Sequence, residues 1–215
     1  MATVILRKAR VSELPSTPHP SQPSSDRRFA SYANEVVLID PKRYGEDPDD
    51  TIGDKVYDRV KDLTETLQSL RGDEFLSLKC KGFFEDDAKR QFCFVYELPS
   101  HCEPPSTQTP PSSLLDYVNS SFKPSVTARV RLAYRLALSL RKIHDEGWLH
   151  KGLRSENVLF FPTRPNAARS LDHPRLVGFD FARREGPGEY SEKSLSVPSA
   201  LERRVLKPHL YPLQP

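Results

Sequence analysis

The residues able to do chemistry gather in two short runs in the second half of the chain. The first is His150-Lys151-Gly152-Leu153-Arg154-Ser155-Glu156-Asn157, where a histidine precedes an amide and an apolar run, Val158 to Phe161, follows. The second is Leu176-Val177-Gly178-Phe179-Asp180-Phe181-Ala182-Arg183, where a carboxylate stands just past an apolar stretch. Far upstream, Lys42 follows the β-branched run Val36 to Ile39. An amide and a carboxylate are hard oxygen ligands for Mg²⁺, and a lysine neutralises phosphate oxygens. Side chains of these types can hold a cation, polarise a bound group or move a proton. Taken singly, each has a plainer reading: His150 as a core histidine, Asn157 and Asp180 as turn residues, Lys42 as a solvated lysine.

These groups must be held by flanking elements. Glu35 to Asp40 reads as a strand that Pro41 closes. Val56, Val60, Leu63, Leu67 and Leu70 recur at helical spacing over Asp54 to Leu70, with Gly72 as a stop. Phe75 to Cys80 alternates as a strand, Gln91 to Tyr96 is a second, and the acidic turn Glu85-Asp86-Asp87 makes them an antiparallel pair. Pro99 to Ser113 is a linker by composition, and Leu114 to Val118 a short helix. A long helix capped by Ser125 or Thr127 runs to about Glu146 and ends at Gly147. Val126, Val130, Ala133, Ala137 and Leu140 form one stripe of it, with Leu132, Leu136 and Ile143 beside. Val158–Phe161 and Arg175–Phe179 are short strands around a loop. Strands that mostly precede the long helix indicate an α+β fold in two subregions joined near residue 98.

Composition sets the outer limits. The chain has 215 residues, 37% of them hydrophobic, with 20 prolines, and its mean hydropathy is −0.59. Part of it is expected outside the core, above all the Ser/Pro-rich stretch before Phe29, read as disordered over 1–28. A net charge of +3 does not argue for nucleic acid. Cys80, Cys93 and Cys102 make an odd number without a C-x-x-C pair, so free thiols are expected. No signal peptide or membrane-spanning run is evident, and the expected setting is cytoplasmic.

The run His150 to Asn157 resembles the protein-kinase catalytic loop H-R-D-L-x-x-x-N, and Leu176 to Arg183 resembles the segment around D-F-G. The likeness to the protein-kinase superfamily covers Phe29 to about Arg183. It is closer to the kinase-like domains of filamentous fungi that often follow HeLo-type (prion-inhibition and propagation) domains, which carry segments like Trp148–Asn157 and Leu176–Asp180. The resemblance implies a two-lobed fold. An N-lobe-like region would span 29–98, with an antiparallel sheet and one helix. A partial, mostly helical C-lobe would span 99–192, and an irregular tail 193–215. It implies ATP and Mg²⁺ as ligands and a setting in fungal incompatibility or cell-death signalling. His150, Asn157 and Asp180 are then remnants of the catalytic positions. In the preferred register Gly178 stands at the metal aspartate and Asp180 at the glycine of D-F-G, while a shifted register reads Asp180-Phe181-Ala182 as the triplet. Asn157 and Asp180 are the metal ligands in that shifted register, or where the backbone bends to bring Asp180 in. Lys42 takes the strand lysine, with Glu65 its helix partner and Asp62 a rival, and Glu97 and Leu98 form the hinge that would meet an adenine.

The departures from the pattern are chemical. Gly152 replaces the base that accepts a substrate proton, a loss that costs about 10²–10⁴ in rate. Gly178 replaces the metal carboxylate. No G-x-G-x-x-G precedes Lys42, so backbone N–H groups to cover phosphates are not evident. The chain also stops where a longer C-lobe is expected. Three readings follow: a catalytically impaired, pseudokinase-like signalling module with a protein partner and weak or absent ATP binding; an atypical active kinase using Asp180; and a truncated fragment without independent function.

Overall fold

The computed structural model describes residues 5–13, 27–44, 51–70, 73–100, 102, 111–163 and 169–186. It is an α+β fold built around a curled antiparallel sheet of five strands in the order β1-β2-β3-β5-β4. These are β1 (Val11–Glu13), β2 (Arg28–Tyr32), β3 (Glu35–Arg43), β4 (Cys80–Asp86) and β5 (Gln91–Glu97). Ala33 and Asn34, both at positive φ (51° and 66°), turn β2 into β3. Two left-handed residues in a two-residue loop match the twist of the strands they join. Helix α1 (Thr51–Ser69) lies on one sheet face through Val56, Val60, Leu63 and Leu67, which meet Leu38, Phe83, Phe92 and Phe94 in the main core. The other face has a smaller core of Ala30, Val37, Ile39, Phe84, Cys93 and Val95, covered in part by Leu6 and Val11.

Beyond the sheet come β6 (Ser112–Ser113), α2 (Leu114–Val118), α3 (Val126–Asp145), β7 (Trp148–Leu149), β8 (Val158–Phe160), β9 (Pro174–Leu176) and β10 (Arg183–Arg184). Ser113 and Asp116 close a reciprocal capping box at the start of α2, and the Ser125 hydroxyl caps α3 by accepting from the Ala128 N–H at 3.2 Å. Gly147 ends α3 at φ +77°. Tyr117 of α2 stacks on Phe160 of β8, 4.8 Å between ring centres. Among the described residues no helix is long and apolar enough to cross a membrane, and Cys80, Cys93 and Cys102 are free thiols.

Four local expectations change. Pro41 does not close β3, which runs on to Arg43. Past Ile39 the strand pairs only with β5, and a one-sided strand tolerates a proline. The alternation from Phe75 to Cys80 marks burial, not a ladder. Asp73–Phe75 is a 3-10 turn and Leu76 is left-handed (φ 52°), yet Leu76 and Leu78 are buried. Strand β4 therefore begins at Cys80 and takes in Glu85 and Asp86, and the reversal falls at Asp87–Arg90. The segment expected without structure up to Arg28 supplies β1, which pairs with β2 from Val11↔Tyr32 to Glu13↔Ala30. Residues 14–26 of that segment, 193–215 of the tail and most of the Pro99–Ser113 linker lie outside the described residues.

Candidate functional site

The loop from His150 to Asn157 is folded around its own histidine. Lys151 is left-handed (φ 58°), which turns the Gly152 N–H back onto the His150 carbonyl at 2.7 Å and onto His150 Nδ1 at 3.1 Å. An Nδ1 that accepts leaves the proton of the neutral ring on Nε2. The ring is buried and lies 4.4 Å from Phe179. Burial pulls its pKa down to about 4 against the opposing pull of the Val177 backbone and the Asp40 charge. His150 is thus neutral at physiological pH, and its contacts are those of a residue that shapes the loop.

Asn157 joins that loop to the strand end before Gly178. Its backbone carbonyl accepts from Val177 N–H at 2.9 Å. Its amide Nδ2 donates to the Gly152 carbonyl at 2.7 Å, and its Oδ1 accepts from Arg27 Nη2 at 2.9 Å. Donor and acceptor ends of the amide are both engaged, so the side chain has one satisfied orientation.

The two glycines are the points of closest approach. Gly178 is left-handed (φ +80°), and a Cβ there would stand 2.1 Å from Asn157 Nδ2 and 2.6 Å from Oδ1. A Cβ at Gly152 would stand 2.4 Å from the Gly178 carbonyl. The space where either carboxylate would begin is filled by the Asn157 amide and by backbone.

A buried arginine completes the arrangement. Arg27 Nε donates to Asp40 Oδ1 at 3.0 Å, with the two side chains 5% and 6% exposed. Asp40 Oδ2 accepts the Gly178 N–H at 2.9 Å. Arg27 Nη1 also reaches the Glu156 carbonyl at 3.5 Å. The guanidinium bridges β3 and the histidine loop, and Asp40 carries the link on to the Gly178 turn. Asp40 was foreseen only as a strand end and Arg27 as part of a disordered stretch. The signal for Asp40 was a charge closing an apolar, β-branched strand, since a buried carboxylate requires a partner.

The other expected site residues are distributed as follows. Lys42 is buried on β3, and its Nζ donates to the Asp180 carbonyl at 2.5 Å. The Asp180 carboxyl is pushed up by burial and then by Asp40, against Lys42 and Arg154. Glu65 is exposed on α1, away from the buried setting of Lys42. Asp62 is half exposed and stands 4.0 Å from Arg184 Nη2. The Glu97 N–H donates to the Lys79 carbonyl at 2.9 Å, and its carboxylate lies 3.0 Å from both Lys79 and Lys81. Burial works to raise the Glu97 pKa, but the two lysines outweigh it and the net shift is downward. Leu98 packs on the main core. Among the described residues no three His, Cys, Asp or Glu side chains stand together as a metal group. His150, Asn157, Gly152 and Gly178 are thus brought together, Lys42 and Asp180 adjoin them, and Glu65 lies apart.

No known protein-family model matches the chain, and no curated protein matches it.

Proposed function

We propose that this chain is a kinase-like domain that has kept the scaffold without the chemistry, a pseudokinase-like module that works by binding a protein partner. The observation that carries the reading is the Arg27 guanidinium, which takes Asn157 Oδ1 and Asp40 for itself. Asn157 is the amide that the kinase pattern assigns to metal, and a fixed cation on its oxygen opposes a second cation there. Gly178 adds no carboxylate, and the Asn157 amide fills the place where its Cβ would begin. Mg²⁺, which prefers near-octahedral oxygen ligands, does not fit this set, and no step through a metal-bound nucleotide is derived.

Other features support the kinase-like frame. A buried lysine stands on the strand before α1, and the histidine loop lies between a long helix and short paired strands, β8 and β9. A setting in fungal incompatibility or cell-death signalling rests on the Trp148–Asn157 resemblance alone. The reading is tested by incubating the full chain with γ-labelled ATP, Mg²⁺ or Mn²⁺ and a generic acceptor protein. The expected result is no transfer above a no-enzyme control. Turnover that Asn157→Ala abolishes would overturn the reading.

A further inference from the structure

Helix α3 is apolar on two sides, and among the described residues only one packs on the core. Leu132 and Ile143 are buried, and Leu136 and Leu140 pack against the core with them. On the opposite side Val126, Val130 and Tyr134 stand 65%, 62% and 67% exposed. They recur every fourth residue, so they form one line along the helix. Ala133 and Ala137, also exposed, widen it. A line of valines and a tyrosine facing solvent over successive turns is the pattern of an anchor strip for another helix.

The charges around the line indicate what that helix carries. From Val126 to His144 the helix has Arg129, Arg131, Arg135, Arg141 and Lys142 and no acidic residue. The Asp172 carboxylate stands 3.6 Å from Arg131, Glu74 takes Lys142 at 2.6 Å, and Asp145 lies 4.0 Å from Arg141, whereas Arg135 donates to the Asp172 backbone carbonyl. Arg129 is exposed and makes no ion pair among the described residues. Five cations against the three carboxylates of Asp172, Asp145 and Glu74 leave the rim net basic, with Arg129 and Arg135 paired to no carboxylate among the described residues.

We infer that the outward face of α3 is a docking surface for an amphipathic helix of a partner protein with acidic flanks. The apolar strip supplies burial, and the arginines supply orientation and steering. A second copy of the chain would set arginines against arginines. The chain's own residues 187–215 hold Lys193, Arg203, Arg204 and Lys207 against Glu189, Glu192 and Glu202, so they lack the acidic excess that the rim favours. The inference names the partner class for the binding role proposed above, yet it stands on a surface separate from the Arg27 site, so its outcome is independent of any nucleotide result.

The test uses the full chain and two synthetic helical peptides of about 18 residues, or roughly five turns. Both carry leucines at helical spacing on one face, one with glutamates and the other with lysines elsewhere. Fluorescence anisotropy should show the acidic peptide bound, and bound more weakly at about 0.5 M salt, where charges a few Å apart are already screened. The double substitution Val130→Asp and Tyr134→Asp should weaken binding at least about tenfold, as expected when apolar anchors are lost. Arg129→Glu should weaken it too. Both variants should keep the wild-type melting temperature, because these side chains face solvent. No binding of the acidic peptide, equal binding of the basic one, or indifference to Val130→Asp/Tyr134→Asp overturns the inference. So does light scattering that finds a dimer dissolved by the same pair, or cross-links from 187–215 to this face.

Discussion

Arg27 and Asp40 form an ion pair of 3.0 Å with both side chains almost wholly buried. The pair is extended at each end, to Asn157 Oδ1 by the guanidinium and to the Gly178 N–H by the carboxylate. Two segments, 13 and 130 residues distant from Arg27 in sequence, are joined through one charged group. A buried pair adds little net stability over apolar residues of the same shape, but half a buried pair is costly.

Arg27→Met should therefore destabilise the fold by about 3–5 kcal/mol, since it strands the Asp40 carboxylate in the interior. Arg27→Met combined with Asp40→Asn should recover much of that loss. Urea unfolding measures both. A loss below about 1 kcal/mol for the single variant would show that the pair is solvated and does not organise the site.

Placing carboxylates at Gly152 and Gly178 should not create a metal site. Gly178→Asp places a side chain at φ +80° and drives its Cβ into the Asn157 amide. The expected cost is about 1–3 kcal/mol from strain and crowding together. Gly152→Asp meets the Gly178 carbonyl and should cost a similar amount. Thermal melts with and without Mg²⁺ test the pair of variants. A Mg²⁺-dependent rise in melting temperature in either would count against the crowded geometry.

His150 makes stability depend on pH with a defined sign. Its pKa is about 4 in the folded chain against an ordinary value of 6.5. The unfolded chain binds the extra proton first, so the stability that the neutral ring contributes is full above about pH 6.5 and falls as pH drops toward 4. The total is on the order of 3 kcal/mol. Asp180, with its raised pKa, acts in the opposite sense, so the wild-type profile is the sum. Unfolding free energies of wild type and His150→Gln between pH 4 and 7 isolate the histidine. The variant should lose the fall across that window, and parallel profiles would contradict the burial of a neutral ring.

The two faces of α3 should respond differently to truncation. Leu132→Ala, on the buried face, should cost about 2–5 kcal/mol, whereas Val130→Ala, with the side chain in solvent, should fall within about 0.5 kcal/mol of wild type. Equal costs would mean that the outward strip is packed.

That contrast also marks how far the sequence could be read. Helical spacing located α1 and α3, and a cap at Ser125 or Thr127, of which the structure uses Ser125, with the Gly147 stop bounded α3 within a residue or two, because caps and periodicity are local properties. Spacing could not say which of two apolar stripes on α3 meets the core. Of the stripe Val126, Val130, Ala133, Ala137 and Leu140, the first four face outward while Leu140 packs against the core, and Leu132, Leu136 and Ile143 point in. Alternation from Phe75 to Cys80 was read as a ladder because burial and strand pairing leave the same period-two trace. The histidine loop and Gly178 were legible as a constellation, and the structure adds why they are glycines: the Asn157 amide and the Gly178 carbonyl lie where a Cβ would be. Arg27 was not legible. Its partners lie far along the chain, and its surroundings in sequence are Ser, Pro and charge, with no period to signal that one arginine turns inward.

The central claim is that the Arg27 cation and the two glycines leave no place for a metal-bound nucleotide. Titration calorimetry of the full chain with ATP and Mg²⁺, paired with a thermal melt at millimolar nucleotide, tests it most directly. The account predicts no measurable heat of binding and no rise in melting temperature. Saturable binding that Mg²⁺ strengthens and Asn157→Ala removes, with stabilisation approaching the roughly 2.7 kcal/mol expected at 100 times Kd, would contradict it.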